Sequence, residues 1–449
     1  MREISSDKIK EFINIAIPAI LESLVTVIIA TIDTKMISCL GKPAISAVSF
    51  TTQPKLFFFS VFFALGTAVS IFVAQAYGKG DKREGNRYFQ TILKTAIILS
   101  VILGVVLFFL AEPIMRLCNR QPDTLHMSVS FFRIVMVFMI FQAVSTVLSA
   151  ALRGIGKTKV TLVSNIAMGL TDIIFNYLLI EGHLGFPRLA VVGDAIATVL
   201  GTASSCVICT IAICFYSDFI HFNGFFNEKS FTDHQKLKVI LNKAGNIVFE
   251  NLFMRIGFLL SSVIISMLSS DETAVYAVAM ILLNYTFAFG DGIQSAVVAL
   301  SGRAYGAKDS SSFREYFRIA IIFGLLCSAM LGFIYIASSK PYYGSFFTDQ
   351  AAINDGSITS LYVAVLTWVQ IIRIIEIGVM RGMGEVETPR KIATICVMIV
   401  SPLFTYLFCI TGGQGAWGFW RAALITQGLW LILVSIACHK YIKTWQIQI

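Results

Sequence analysis

Ten ionisable side chains stand inside stretches of sequence that are otherwise apolar: Glu22, Asp33, Lys55, Arg133, Asp172, Glu250, Arg255, Asp291, Arg373 and Glu376. Each costs several kcal/mol in hydrocarbon unless it is paired or faces water, and so many argue for a binding site or a pathway. Asp172 and Asn176 are one helical turn apart and share a face. If that face meets Asp33, with Thr198 adding a hydroxyl, two carboxylates, an amide and a hydroxyl form a small oxygen-lined site. Such a site suits a hard cation such as sodium, and its carboxylates could equally hold a proton. The alternative is an interhelical hydrogen-bond network that only holds the helices together. Candidates for a substrate cavity or for coupling are Glu250, Arg255, Gln142, Gln370, Arg373, Glu376, Glu22 and Lys55. Arg373 and Glu376 are spaced i, i+3 and can pair on one helix face.

These residues are carried by a chain that repeats itself. An offset of about 228 residues lays Glu22 on Glu250, Ala76-Tyr77-Gly78 on Ala304-Tyr305-Gly306, Asp81 on Asp309 and Pro113 on Pro341. Gln142 likewise meets Gln370, and Arg153-Gly154-x-Gly156 meets Arg381-Gly382-x-Gly384. Hydrophobic residues make up 56% and charged ones 14%, against about a quarter charged in soluble domains, and the mean hydropathy is +0.78. Apolar runs long enough to cross a bilayer are predicted at 12–39, 45–77, 88–111, 125–152, 158–181 and 189–217. Six more are predicted at 238–268, 273–305, 314–338, 357–380, 387–411 and 416–442. The expected architecture is an all-α integral membrane protein with twelve transmembrane helices in two pseudo-symmetric six-helix lobes, 1–217 and 238–449, joined by a cytoplasmic linker at 218–237. An even number of spans per half gives both halves the same orientation, as in secondary transporters built from parallel repeats. Pro18, Pro54 and Pro402 fall within predicted helices and are expected to kink them.

Orientation follows from Lys and Arg, which concentrate in cytoplasmic loops. One set of alternate loops and both termini collect about two dozen of them, against about half a dozen opposite. Both termini are therefore expected in the cytoplasm, with the chain in the inner membrane. The net charge of +9 is read against this bias; no segment has the pattern that nucleic-acid binding requires. The nine cysteines lie mostly in apolar runs, and the Cys206-Val-Ile-Cys209 spacing reads as helix packing. Gly154-Ile-Gly156-Lys157-Thr158 ends like a nucleotide-binding loop, yet Ala151 stands where that pattern needs glycine and no strand precedes it. No ATP site is visible, so transport would draw on an ion gradient. An intramembrane enzyme would need a metal or nucleophile cluster, and no His, Cys or acidic spacing supplies one.

The chain resembles the multidrug and toxic compound extrusion family over essentially its whole length. The resemblance is carried by Ile32-Asp33-Thr34, Val73-Ala74-Gln75-Ala76-Tyr77-Gly78-Lys79-Gly80-Asp81, Ala151-Leu152-Arg153-Gly154-Ile-Gly156-Lys157-Thr158-Lys159 and Gly193-Asp194-Ala195-Ile-Ala197-Thr198. It implies an antiporter, coupled to protons or sodium, that exports amphipathic and often cationic compounds by alternating access, with no cofactor beyond the coupling ion. The family's amino-lobe cation site would fall on Asp33, Asp172, Asn176 and Thr198, and its acidic residue on the seventh span on Glu250. Many members have Asn at the position of Asp172 and Asp or Asn at that of Asn176, so the choice of ion does not carry over. The repeat sets Ser261 opposite Asp33, and small or apolar residues around Ala422 and Ala423 near the counterpart of Thr198, which places coupling in the amino half. The expected partners are a small-molecule substrate and the bilayer, with the protein monomeric. The runner-up reading is a flippase or exporter of a lipid-linked or anionic substrate, motivated by Lys55, Arg133, Arg255 and Arg373, which could meet phosphate.

Overall fold

A computed structural model describes residues 5–119, 122–223, 225 and 234–448. The amino half forms α1 (Ser6–Ile37), α2 (Lys42–Lys79), α3 (Lys82–Cys118), α4 (Pro122–Val137), α5 (Met139–Gly154), α6 (Thr158–Ile180) and α7 (Val191–Tyr216). The carboxyl half forms α8 (His234–Ile265), α9 (Ser270–Gly306), α10 (Ser310–Ala337), α11 (Ser339–Gly344), α12 (Gln350–Gly382), α13 (Glu387–Ala393), α14 (Ser401–Tyr406) and α15 (Gly415–Gln448). Among the described residues eleven helices are long and apolar enough to cross a membrane, and α4 with α5 makes a twelfth, bent span. Helices are what long apolar segments must form in lipid, where every backbone N–H and C=O has to be satisfied within the segment. Phe109 and Phe333 expose 72% and 73% of their surface; on a soluble protein that would be a liability, and in a bilayer it is the lipid-facing side.

The repeat reappears in the backbone. Adding 228 to the first residues of α1, α2, α3 and α4 gives 234, 270, 310 and 350, the first residues of α8, α9, α10 and α12. The helix caps repeat as well. Asp81 accepts from the Glu84 N–H at the start of α3, and Asp309 accepts from the Ser311 and Ser312 N–H groups at the start of α10, each satisfying donors the helix cannot. Just before these caps the chain turns through a left-handed residue, Gly80 with φ 71° in one half and Lys308 with φ 55° in the other.

Three departures from the sequence reading concern helix continuity and lobe boundaries. The fourth span, predicted unbroken over 125–152, bends by 49° between α4 and α5. No proline marks the break. The Met136 and Val137 carbonyl oxygens there pack over Gly104 of α3, where an added Cβ would lie 3.2 and 3.3 Å from them, so the break follows from a small neighbour rather than a local breaker. Pro402 lies at the start of α14, after the π-helical turn Thr394–Val400, a wider coil that accommodates a residue with no N–H to give. Compact packing, finally, does not divide the chain at the linker 218–237, which falls partly outside the described residues. One unit comprises Leu21–Gly245, the other Met1–Ile20 with Asn246–Ile449. The start of α1 packs with the carboxyl half through Lys8–Glu315 and Arg303–Glu11 ion pairs, both 3.0 Å. The start of α8 packs with the amino half through Ile240, Ala244 and Lys243, whose Nζ lies 5.0 Å from the Phe72 ring centre.

The paired left-handed positions give a test of the repeat. Lys308 pays a steric cost at its Cβ that Gly80 avoids. Lys308→Gly is therefore expected to raise stability by about 0.5–1 kcal/mol, read as a higher thermal midpoint in detergent, whereas Gly80→Lys should lower it.

Candidate functional site

In the amino half four helices bring polar groups to one place. α1 supplies Asp33, α6 supplies Asp172 and Asn176, α7 supplies Asp194 and Thr198, and α2 supplies Lys55. Asn176, fully buried, donates from Nδ2 to Asp33 Oδ1 over 2.7 Å. The Thr198 hydroxyl is within hydrogen-bonding reach of Asp172. Helices α6 and α7 approach closely enough for this because Gly201 has no side chain; a Cβ there would stand 2.9 Å from the Met168 carbonyl oxygen and 3.2 Å from Asp172 Cβ. All four residues expected at the cation site thus meet.

The cluster contains two further members. Asp194, in the sequence one member of the Gly193-Asp194-Ala195 motif, lies one turn before Thr198 on α7, has no exposed surface, and reaches Asp33 at hydrogen-bonding range. The i, i+4 spacing to Thr198 was the signal available in the sequence. Lys55, a cavity candidate, lies instead within electrostatic reach of Asp33, Asp172 and Asp194, with its Nζ 5.4 Å from the Phe131 ring centre. Asp172 Oδ1, Asn176 Oδ1 and both Asp194 carboxyl oxygens are buried with no hydrogen-bond donor. Two carboxylates are acceptors only, so Asp33 and Asp194 can bond to each other only through a proton on one of them. Among the described residues no three His, Cys, Asp or Glu side chains converge as a metal site; the acids are arranged as a pair within hydrogen-bonding range and a third within electrostatic reach.

Glu22 and Glu250, also candidates, occupy equivalent places and have equivalent partners. Arg153 Nη1 lies 2.7 Å from Glu22 Oε1, and Arg381 Nη2 lies 3.0 Å from Glu250 Oε2. Thr161 adds a 2.6 Å bond to Glu22 Oε2, while Arg381 also donates to Gln294 Oε1 over 2.9 Å. The second pair is the deeper, with side-chain exposures of 11% and 2% against 22% and 16%. The Arg-Gly-x-Gly turn that mimics part of a nucleotide loop thus serves to deliver an arginine to a buried acid.

In the carboxyl half α8, α9, α12 and α15 line a partly open cavity of about 420 Å³, within the range of small-molecule sites. Glu250, Arg255, Asp291, Arg373 and Arg381 supply its charges, and Phe258, Phe287 and Trp430 part of its apolar wall. The pairing open to Arg373 and Glu376 by their spacing does not form. Glu376 accepts instead from Ser435 Oγ at 2.6 Å, and the Arg373 guanidinium stacks on Trp430, 3.5 Å from its ring centre. An i, i+3 spacing allows contact, but here α15 offers each residue a better partner. Gln142 bonds within its own helix to Thr146 at 3.0 Å, and Gln370 is buried with its Nε2 unpartnered; neither lines the cavity. Position 426, which the repeat places opposite Thr198, is Thr426, a buried hydroxyl. This corrects the expectation of only small or apolar residues there. The acids are nonetheless absent, with Ser261, Val400 and Ala422 opposite Asp33, Asp172 and Asp194.

The MatE family model matches residues 18–178 and again 247–407. The chain belongs to the MatE family. The two MatE segments are the two halves of the repeat, and the family makes this a multi-pass membrane transporter. It is 23% identical to the uncharacterized transporter YisQ of Bacillus subtilis (strain 168), over 92% of this chain and 90% of that one. It is also 23% identical to the probable multidrug resistance protein NorM of Pseudomonas putida, over 98% and 94%. In fold it is similar to a multidrug resistance MATE family transporter of the MOP superfamily solved in its outward-facing conformation, with a TM-score of 0.88, 18% identity and 98% and 97% of the two chains covered. The likeness in fold extends over both halves of the repeat.

The difference in depth between the repeated ion pairs sets their expected worth. Breaking a buried pair from one side costs about 3–5 kcal/mol, whereas partly exposed pairs contribute about 1 kcal/mol or less. Double-mutant cycles using Glu250→Gln with Arg381→Gln, and Glu22→Gln with Arg153→Gln, should give a coupling energy at least about twofold larger for the first pair. Equal couplings would show that burial does not decide their strength.

Proposed function

We propose that this MatE protein exports amphipathic drugs or metabolites in exchange for protons, by alternating access, and that the amino-half cluster holds the coupling proton. The observation that carries this reading is the contact between the Asp33 and Asp194 carboxyls among buried acceptor oxygens that have no donor. A group of acceptors gathered from α1, α6 and α7 is stable only with a positive species among them, and a shared proton satisfies the carboxyl pair directly. Asp172 and Thr198 extend the cluster, and Lys55 offsets part of its negative charge. A bound ion shifts an inward–outward equilibrium only by binding one state more tightly than the other. Three acids on three helices are suited to that, because any relative movement of α1, α6 and α7 changes their separation. The counterparts Ser261, Val400 and Ala422 cannot titrate, which confines coupling to the amino half and leaves the carboxyl-half cavity for substrate. The same reading puts the monomeric protein in the inner membrane with both termini cytoplasmic, supported by the Lys and Arg bias of its loops and by its bacterial relatives, and assigns it no enzymatic activity.

The test is uptake into inverted vesicles of two probes, ethidium and the fluorescent carboxylate pyrenebutyrate, driven by an imposed pH gradient or an imposed sodium gradient. A pH gradient is expected to drive uptake of at least one probe. Asp33→Asn and Asp194→Asn, which keep the shape and remove the charge, should reduce it to the level of vesicles without the protein while elution profile and thermal midpoint stay unchanged. Uptake driven by sodium alone would overturn the choice of ion. Wild-type uptake by both variants would overturn the site.

A further inference from the structure

The charges of the carboxyl-half cavity do not cancel. Three guanidiniums, Arg255, Arg373 and Arg381, face two carboxylates, Glu250 and Asp291. Arg381 is committed to Glu250 at 3.0 Å and to Gln294 at 2.9 Å. Asp291 lies within electrostatic reach of Arg373 and Arg381, but no hydrogen bond or ion pair joins it to either among the described contacts. Arg373 is 3% exposed and its Nε has no hydrogen-bond partner. Its fixed position comes from the Trp430 ring, 3.5 Å from the guanidinium carbon, which holds the planar fork without using its N–H groups. A buried guanidinium with free donors, in a cavity carrying one excess positive charge, lacks one anion.

We propose that this cavity binds the anionic head of an amphipathic carboxylate. Arg373, with Arg255 one cavity wall away on α8, takes the carboxylate, and Phe258, Phe287 and Met254 face its apolar body. Guanidinium and carboxylate match in geometry as a bidentate, charge-assisted pair. Asp291 opposes the ligand electrostatically and would admit a second, basic group, so zwitterions are accommodated as well. The proposal rests on the reading of the chain as an exporter and narrows its substrate to organic anions and zwitterions.

The test is equilibrium binding of pyrenebutyrate, with the uncharged pyrenebutanamide as the control for partition, to the full-length protein in phosphatidylcholine nanodiscs, corrected for empty discs. The carboxylate is expected to bind at least about tenfold more tightly than the amide, the ratio a charged hydrogen bond provides. Arg373→Gln and Arg255→Gln should each remove most of that preference, whereas Asp291→Asn should strengthen carboxylate binding severalfold. That opposite sign separates a charge effect from misfolding, which would weaken both probes alike. Equal affinity for the two probes, or weaker carboxylate binding in Asp291→Asn, would overturn the proposal. Displacement of the carboxylate by phosphatidylglycerol in the discs would overturn it in favour of a lipid headgroup. Binding does not depend on a gradient, so a protein that binds the carboxylate but fails the vesicle assay disproves the export reading and leaves the anion site standing.

Discussion

An ionisable side chain held among apolar helices must find a partner or lose its charge, and the polar architecture of this protein follows from that constraint. Both halves meet it the same way at one place, with a glutamate on the first helix and an arginine delivered by the turn that ends the fourth span: Glu22 with Arg153, and Glu250 with Arg381. Each pair ties helices that are distant in sequence, and neither contributes a net charge. Where an ion pair recurs in both halves of a duplicated transporter, its first role is to fix helices common to both. Glu250 is therefore understood better as the anchor of Arg381 in the cavity wall than as a lone titrating acid.

Away from that shared tie the halves diverge, and their charges have opposite sign. The amino-half cluster has three acids and one lysine; the carboxyl-half cavity has three arginines and two acids. An exchanger needs a site for each of the two species it moves, and duplication followed by divergence supplies two similar bundles whose polar interiors can be altered separately. Excess acid in one half suits a cation and excess guanidinium in the other suits an anion.

The sequence made the large features legible because they rest on long-range regularities. Apolar runs set the spans, and an offset of 228 residues set the repeat, which reappears in helix starts, caps and left-handed turns. Helical spacing puts Asp172 and Asn176 on one face, and the family resemblance implied that Asp33 and Thr198 join them. What spacing could not supply is competition between partners. Arg373 and Glu376 are placed to pair, but Trp430 and Ser435 on α15 take them apart. The break at Phe138 has its cause on another helix, at Gly104. The crossing of α1 and α8 between compact units is likewise a matter of contacts and not of composition.

Asp194 shows where this limit bears on mechanism. Alone in the sequence it is one acid near the start of an apolar run; its meaning comes from lying against Asp33, which sits 161 positions earlier. With Asp194 absent, Asp33 would have an amide, a lysine and the more distant Asp172 carboxyl around it, and no second carboxyl within hydrogen-bonding range. With Asp194 fully buried beside it, two acceptors compete for one space, and a proton between them turns mutual repulsion into a hydrogen bond. In the proposed mechanism the helices carrying the two acids, α1 and α7, are drawn together when the proton is present and pushed apart when it leaves. A single proton can in this way change the preferred packing of two helices, which is the differential binding that gradient-driven transport requires.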